Sequence, residues 1–391
     1  MSKINDLIKE LCPNGVIYKK YGDVFEIKTG KGITTKEATD DGLYPIISGG
    51  TTPMGYYHSY NRDENIVTVS RVGANAGYVN FITEKFYLND KCFSIIPKDE
   101  FVKCFIPKYI YHYTKNIENK IMELQSEGGV PTINTQKVSN LLMPMLPIDV
   151  QLEIITVIDK FGELEAELEA ELEARKSQYE FWRGKLFDFD ENVKELSLEE
   201  LCNVVDYRGK TPKKVESGIF LVTAKNIKMG YIDYEYSKEY IAESDFNEVM
   251  RRGKANIGDV LFTTEAPCGH VAQVDKPDIA LAQRVIKYSS KDLSQLSNKY
   301  LKYALLSNQF QNKLLGTSTG ATVKGIKGSK LHKMTIPVPT IEKQNQIVNI
   351  LDQFDKLIND ISEGLPAEIE LRRQQYEYYR NKLLSFKEIQ N

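Results

Sequence analysis

Apolar residues follow two different rhythms along this chain. Over residues 1–147 and again over 191–338, short β-branched and aromatic runs alternate with clusters of Gly, Pro and Asn. The first stretch contains VFEIKTGKG, YPIISGGTTPMGYY, NIVTVSRVGANAGYVNFI and CFSIIP. Such runs, bounded by turn residues, predict strands of a compact, curved sheet joined by long loops. The second stretch repeats the order with LCNVVDYRGKTP, GIFLVTAKNIKMGYI and GDVLFTTEAPCGHVAQV. Helices are predicted at Lys108 to Gln125 and at Asn298 to Leu315, and the segments GGVPTINTQKV and GTSTGATVKGIKG after them read as loops.

Over 148–190 and 339–391 the period lengthens. Phe161, Leu164, Leu168, Leu172, Arg175, Tyr179, Trp182 and Leu186 recur at every third or fourth position. Phe354, Leu357, Ile361, Leu365, Ile369, Arg372, Tyr376, Tyr379 and Leu383 keep the same rhythm. This spacing predicts helices with a packing seam. An amphipathic helix lying on its own domain carries such a stripe as well, but two matching stripes in one chain can bury each other.

The two helical segments are copies. Pro144, Ile148, Gln151, Ile154, Ile158, Asp159 and Phe161 match Pro337, Ile341, Gln344, Ile347, Leu351, Asp352 and Phe354 at an offset of 193. Arg175, Gln178, Tyr179, Glu180, Arg183, Lys185, Leu186 and Phe189 match Arg372, Gln375, Tyr376, Glu377, Arg380, Lys382, Leu383 and Phe386 at 197. A repeat of this length makes the chain a (domain, helix) unit written twice: 1–147, 148–190, 191–338 and 339–391. Between the matched blocks the copies differ. ELEAELEAELEA (Glu163 to Ala174) is three four-residue units of strong helix formers, predicting an unbroken helix. SEGLPAEIE, with Gly364 and Pro366, predicts a helix in two parts.

Composition narrows the class. The chain has 391 residues, 41% of them hydrophobic and 27% charged, which suits an ordinary globular protein of two or more domains. It contains neither an apolar run of transmembrane length nor a basic-then-apolar start, so the cytoplasm is the expected location. Five irregularly spaced cysteines without C-x-x-C read as reduced, and no metal is expected. The net charge of −3 is unevenly spread: 17 bases against 16 acids over 1–147 and 22 against 17 over 191–338, but 5 against 12 over 148–190 and 7 against 9 over 339–391. Neutral-to-basic domains and acidic helices are compatible with phosphate contact through the former and protein contact through the latter.

Catalytic signatures are missing. The Gly209-Lys210-Thr211 tripeptide resembles the end of a phosphate-binding loop, but that pattern needs a glycine where Val204 stands. There is no NPPY or DPPY tetrapeptide, no H-E-x-x-H and no G-x-S-x-G. Helices packed side by side run parallel or antiparallel. If antiparallel, they relate the domains by an approximate two-fold axis, a symmetry that the backbone of duplex DNA shares.

The P-x-x-x-I-x-x-Q...D-x-F and QYE-x-x-R-x-KL-x-x-F blocks, the DYRGKTP...VTAKNI...GDVLFTTEAP order and the YPIISGG...VSRVGANAG...LNDKCF order resemble specificity subunits of type I restriction-modification systems over essentially the whole chain. The resemblance implies an α+β, pseudo-two-fold fold. In it, two target recognition domains with curved sheets are separated by two long antiparallel coiled-coil helices. It also implies a non-catalytic role: reading an asymmetric bipartite DNA target with an unread spacer. The implied partners are two adenine-N6 methyltransferase subunits, which bring S-adenosylmethionine, and translocating restriction subunits. This chain itself needs no cofactor. An autonomous DNA-binding protein that dimerises through its helices is the alternative reading.

For DNA contact, the loops of the first domain offer Lys28, Thr29, Lys31, Ser48, Thr51, Arg71, Asn75, Thr132 and Asn134. Those of the second offer Arg208, Lys210, Thr211, Lys213, Lys225, Asn226, Arg251, Lys324 and Lys327. Arg and Lys address guanine or phosphate, and Asn pairs bidentately with adenine. Any one of these also reads as a solvated loop charge or a turn hydrogen bond. For partner binding, the aromatic and arginine cluster Tyr179, Phe181, Trp182, Arg183, Tyr376, Tyr378, Tyr379 and Arg380 exceeds what one stripe buries. Packing on the adjacent domain is the competing explanation.

The LEAE run reads as a ruler. Deleting one four-residue unit shortens the helix by about 6 Å. Methylation mapping of that variant is expected to show the spacer changed by about one or two base pairs and both half-sites retained. An unchanged spacer contradicts the ruler.

Overall fold

In the computed structural model, residues 2–39, 41–126, 128–207, 212–318, 325–360 and 363–387 are described. They fall into two compact units, Met1–Leu168 with Ile369–Asn391, and Glu169–Glu368. The boundary between them lies inside the central helix Ile148–Lys185.

In the first unit, a four-stranded antiparallel sheet runs in the order Phe25–Thr29, Cys92–Pro97, Ile66–Ser70, Val79–Ile82. A smaller sheet is ordered Tyr56–Tyr57, Tyr44–Ile47, Tyr87–Leu88, with the last two strands parallel. The large sheet is covered on both faces, which is why its strands read as nearly continuous apolar runs. Val67, Val69, Phe93 and Ile95 join the core that contains the helix Pro107–Asn116. Cys92 and Ile66 belong to a second cluster with Ile47, Phe86 and Leu88 of the small-sheet side. Burial there pushes the Cys92 thiol up to about 11, as expected of a reduced structural cysteine.

The second unit repeats the plan. Its large sheet runs Cys202–Asp206, Val285–Ser290, Val260–Thr264, Cys268–Gln273. Its small sheet has a fourth strand: Lys214–Val215, Tyr240–Ile241, Ile219–Val222, Ala280–Leu281, again with a parallel final pair. Val260, Phe262, Ile286 and Tyr288 face the helical core, while Leu261, Ala272 and Val285 face the small sheet.

Local chemistry alters three expected elements. The predicted helix Lys108 to Gln125 is two, Pro107–Asn116 and Glu118–Met122. Asn298 to Leu315 divides into Asn298–Leu306 and Asn308–Thr317. Ser307 makes that break, its hydroxyl accepting from Phe310 N at 3.2 Å and donating to Ala304 O at 2.7 Å. Part of the GGVPTINTQKV loop is helical: Asn134 caps Thr135–Ser139 by accepting from Gln136 N at 2.8 Å.

The repeated positions of the helical segments have identifiable duties. Gln151 is fully buried; its Oε1 accepts from Ile106 N at 2.9 Å, and its Nε2 donates to Cys104 O and Leu146 O, both at 2.7 Å. Gln344 makes the same three bonds, from Ser297 N at 2.9 Å and to Gln295 O at 2.8 Å and Pro339 O at 3.0 Å. Two turns on, Asp159 accepts from Lys108 at 2.6 Å and lies 3.2 Å from His112. Asp352 likewise accepts from Lys299 at 2.7 Å and Tyr303 at 2.6 Å. Each pair of bonds ties a long helix to the domain helix preceding it in the chain.

The central helix is unbroken over 38 residues, whereas the second copy is Ile341–Asn359 and Leu365–Leu383. Gly364 sits so close to the end of the first part that a Cβ there would meet Lys356 O at 2.7 Å and Asp360 O at 2.6 Å. Within the first unit, Phe161 stacks on Tyr379 and Glu165 pairs with Arg373 at 2.9 Å, so the two helices run antiparallel. Leu383 and Leu384 complete that unit's core. Within the second, Tyr179 meets Phe354, and Tyr179 and Phe187 complete its core. Each unit is thus closed by the end of the other copy's helix. Ile361, counted in the seam, lies outside the described residues.

Replacing Gln151 by Leu strands one amide hydrogen and two carbonyls in the core. The expected cost is about 1–3 kcal/mol for each group left unpaired, read as a lower denaturation midpoint. A midpoint equal to wild type contradicts the clamp.

Candidate nucleic-acid interface

The antiparallel ladder of the large sheet frays into loops at one end, and in the first unit these loops are stitched together by backbone bonds. Gly30 N donates to Cys92 O at 3.1 Å and Lys31 N to Leu88 O at 3.0 Å. Arg71 N donates to Lys91 O at 2.8 Å, and Ile133 N to Arg71 O at 2.8 Å. Val72 bridges to Thr132, and Gly73 N reaches Pro131 O at 3.0 Å. Asn75 Nδ2 donates to Gly49 O at 3.2 Å. Gly49 is required by close approach, since a Cβ there would meet Val72 O at 2.8 Å. Five loops, around residues 30, 49, 72, 90 and 132, thereby form one surface.

Charge on that surface is mainly positive. Lys31 and Lys91 are exposed, and Arg71 is half-buried with Nη1 donating to Asp90 O at 3.3 Å. Lys28 is exposed but paired with Glu26, and Thr29 and Thr51 are exposed. Thr132 is half-buried, with its hydroxyl donating to Val130 O at 3.0 Å, and exposed Asn134 uses its side chain as the helix cap already described. Ser48 is buried, so only its backbone shapes the surface: its carbonyl takes the Cys92 thiol at 3.0 Å.

The second unit builds the same scaffold. Thr264 N donates to Arg284 O at 3.0 Å, and Ile326 N to Thr264 O at 3.0 Å. Glu265 bridges to Gly325 as Val72 does to Thr132. By this register Thr264, Glu265, Arg284 and Lys327 stand where Arg71, Val72, Lys91 and Asn134 stand in the first unit. Arg284 is exposed, takes a left-handed φ of +75° that few side chains adopt, and pairs with Glu265 at 2.9 Å. Lys327 is exposed just before the short helix Gly328–Leu331.

Other expected contacts in this unit fare differently. Lys213 and Lys225 are exposed, and exposed Arg251 is paired with Glu248. Asn226 is fully buried. Its Oδ1 accepts from Thr223 N at 3.0 Å and Thr223 Oγ1 at 2.8 Å, and its Nδ2 donates to Asp233 O and Ser237 O, both at 2.9 Å. Every polar group of that amide is committed to its own loop, so it cannot pair with a base. Arg208, Lys210, Thr211 and Lys324 lie outside the described residues.

Lys91 and Arg284 were not anticipated. Both directly precede a long strand, Cys92–Pro97 and Val285–Ser290, inside segments that read as apolar. The signal available was the repeat itself, which places a base at the same position before the corresponding strand.

The aromatic cluster on the helices divides into inner and outer members. Tyr179 is buried, and Arg183 lies over its ring at 5.5 Å while pairing with Glu180 at 2.6 Å. Arg380 lies over half-buried Tyr376 at 5.3 Å, and Tyr379 stacks on Phe161. These five are committed within their own units. Phe181 is 56% exposed, with Trp182 (43%) packed edge-on against it, and Tyr378 is 59% exposed. Phe181 and Tyr378 are equivalent positions of the two copies.

A family model described as type I restriction modification DNA specificity domain matches residues 13–174 and again 190–371. The chain is 33% identical over 301 residues to the EcoR124I/EcoR124II specificity subunit of Escherichia coli, covering 71% of this chain and 70% of that one. It is 27% identical over 356 residues to a putative type I restriction enzyme specificity subunit of Haemophilus influenzae, covering 86% and 87%. Among solved structures, a chain from a study of complex assembly and conformational transition of the type I R-M system superposes with a TM-score of 0.64 at 15% identity, over 95% of this chain and 97% of that one. The S subunit from M. genitalium superposes at 0.55 and 16% identity, over 94% and 96%. At such identities the superpositions speak for the fold.

Proposed function

This chain belongs to the type I restriction modification DNA specificity family, and from that premise we propose how its parts divide the work. It is the sequence-specificity subunit of a type I restriction-modification system, a non-catalytic component that acts with DNA and with modification and restriction subunits. Each unit reads one half of an asymmetric bipartite target through the surface at the end of its large sheet, leaving the spacer unread. The four-part division at residues 147, 190 and 338 separates the reading domains from the helices. Adenine-N6 methylation is performed by the partner methyltransferase subunits, which bring S-adenosylmethionine, and the complex works in the cytoplasm.

One observation carries this reading: two backbone bonds and the bridge beside them recur at matching positions in both units, and different side chains stand on them. Arg71, Lys91 and Asn134 on the first scaffold correspond to Thr264, Arg284 and Lys327 on the second. A fixed frame with exchanged side chains gives two different half-sites. Their arginines and lysines supply guanine and phosphate contacts.

Phe181 and Tyr378 suit the docking of two copies of one partner, because they present an exposed aromatic at equivalent points of the repeat. Arg183 and Arg380, turned inward over Tyr179 and Tyr376, hold the helices that carry them.

Binding measured against salt tests the DNA surface. Arg71→Ala with Lys91→Ala is expected to weaken target binding and to reduce the slope of log affinity against log salt by about 2. Unchanged affinity and slope remove that surface from the interface. For docking, Phe181→Ser or Tyr378→Ser is expected to leave one methyltransferase subunit where wild type retains two. Full stoichiometry in the double variant contradicts the assignment.

A further inference from the structure

Val130 is 63% exposed at the tip of the loop that Thr132 and Ile133 tie to Val72 and Arg71. Gly128 and Gly129 both take left-handed conformations, φ +84° and +79°, which turn the chain outward before it. Pro131 follows and holds the preceding residue extended. On either side the loop is pinned: Ser126 N donates to Thr132 O at 2.9 Å, Gly73 N to Pro131 O at 3.0 Å, and Gln125 Nε2 to Ala76 O at 2.8 Å. Three residues on, Ile133 is fully buried. The Val130 side chain is β-branched and stiff, and two residues on Thr132 bridges to Val72, next to Arg71.

We infer that Val130 is a specificity-determining residue whose isopropyl group packs against the 5-methyl group of a thymine in the half-site read by the first unit. The inference rests on the DNA-reading function proposed above and adds the base chemistry. In the major groove thymine is distinguished by that methyl group, and apolar side chains are what recognise it. Arg71, Lys91 and Asn75 supply polar contacts on the same surface, and none of them senses a methyl. Because Pro131 and Thr132 are already held by Gly73 and Ser126, ordering Val130 on DNA costs little further entropy. The other copy carries the same residue type in sequence: aligning Ile326 with Ile133, whose amides make equivalent bonds, places Val323 at the position of Val130. Val323 itself is outside the described residues.

The test uses the complex with its methyltransferase subunits and a duplex carrying its mapped target, with each thymine in turn replaced by uracil, which lacks only the methyl group. One replacement is expected to weaken wild-type binding about fourfold, the value of one buried methyl group. The Val130→Ala complex is expected to bind the thymine and uracil duplexes equally at that position, with an affinity near that of wild type for uracil. If Val130→Ala loses as much as wild type at every uracil, or if wild type is indifferent to all of them, the inference is wrong while DNA reading stands. Absence of any sequence-specific binding by the wild-type complex would overturn both.

Discussion

Two buried amides set the frame of this molecule. A glutamine enclosed in a core tolerates one arrangement, because each unpaired polar group left there costs about as much as a sizeable fraction of a domain's net stability. Gln151 and Gln344 each bind the chain entering the domain helix and the turn before the long helix, with the same three bonds. Once the exit of the long helix is set, Asp159 and Asp352 fall onto the domain helix two turns later. All these bonds lie on the helical side of the large sheet. The loops at the sheet's end are therefore free to change side chains without disturbing the frame, which is what a reader of variable sequences requires.

The helical frame was legible because its constraints recur. Gln, Asp and Phe at matched offsets identify the same buried positions in both copies, and Gly364 with Pro366 predicts the break that the backbone makes. The seam was read less well at its end. Trp182 fits a 3.5-residue stripe, yet it faces outward while Arg183 folds in over Tyr179. A straight helix drifts from that spacing, and a guanidinium over an aromatic face hides as readily as an apolar side chain. Ser307 and Asn134 were similarly opaque, since a short polar side chain caps a helix or ends a loop according to neighbours that the sequence does not place.

The proposed reading surface shows the reverse balance. Arg71, Asn75 and Thr132 were recognisable from glycine-flanked loops, and they do come together. Lys91 and Arg284 were hidden at the mouths of strands, where an apolar run draws attention away from the base that precedes it. Ser48 and Asn226 carried the right functional groups and are buried: a polar residue next to a tight turn serves the turn first. What separates the two sets is the register of the strands, a property of pairing over long sequence separations.

Two copies of one scaffold, dressed differently, are proposed to read two different half-sites. Mapping N6-methyladenine in the DNA of cells that express this chain with its methyltransferase partner tests it most directly. The expected result is methylation, dependent on this chain, of one split sequence whose two halves are unlike and separated by a fixed number of unspecified bases. A palindromic or continuous site, or methylation that persists without this chain, would contradict it.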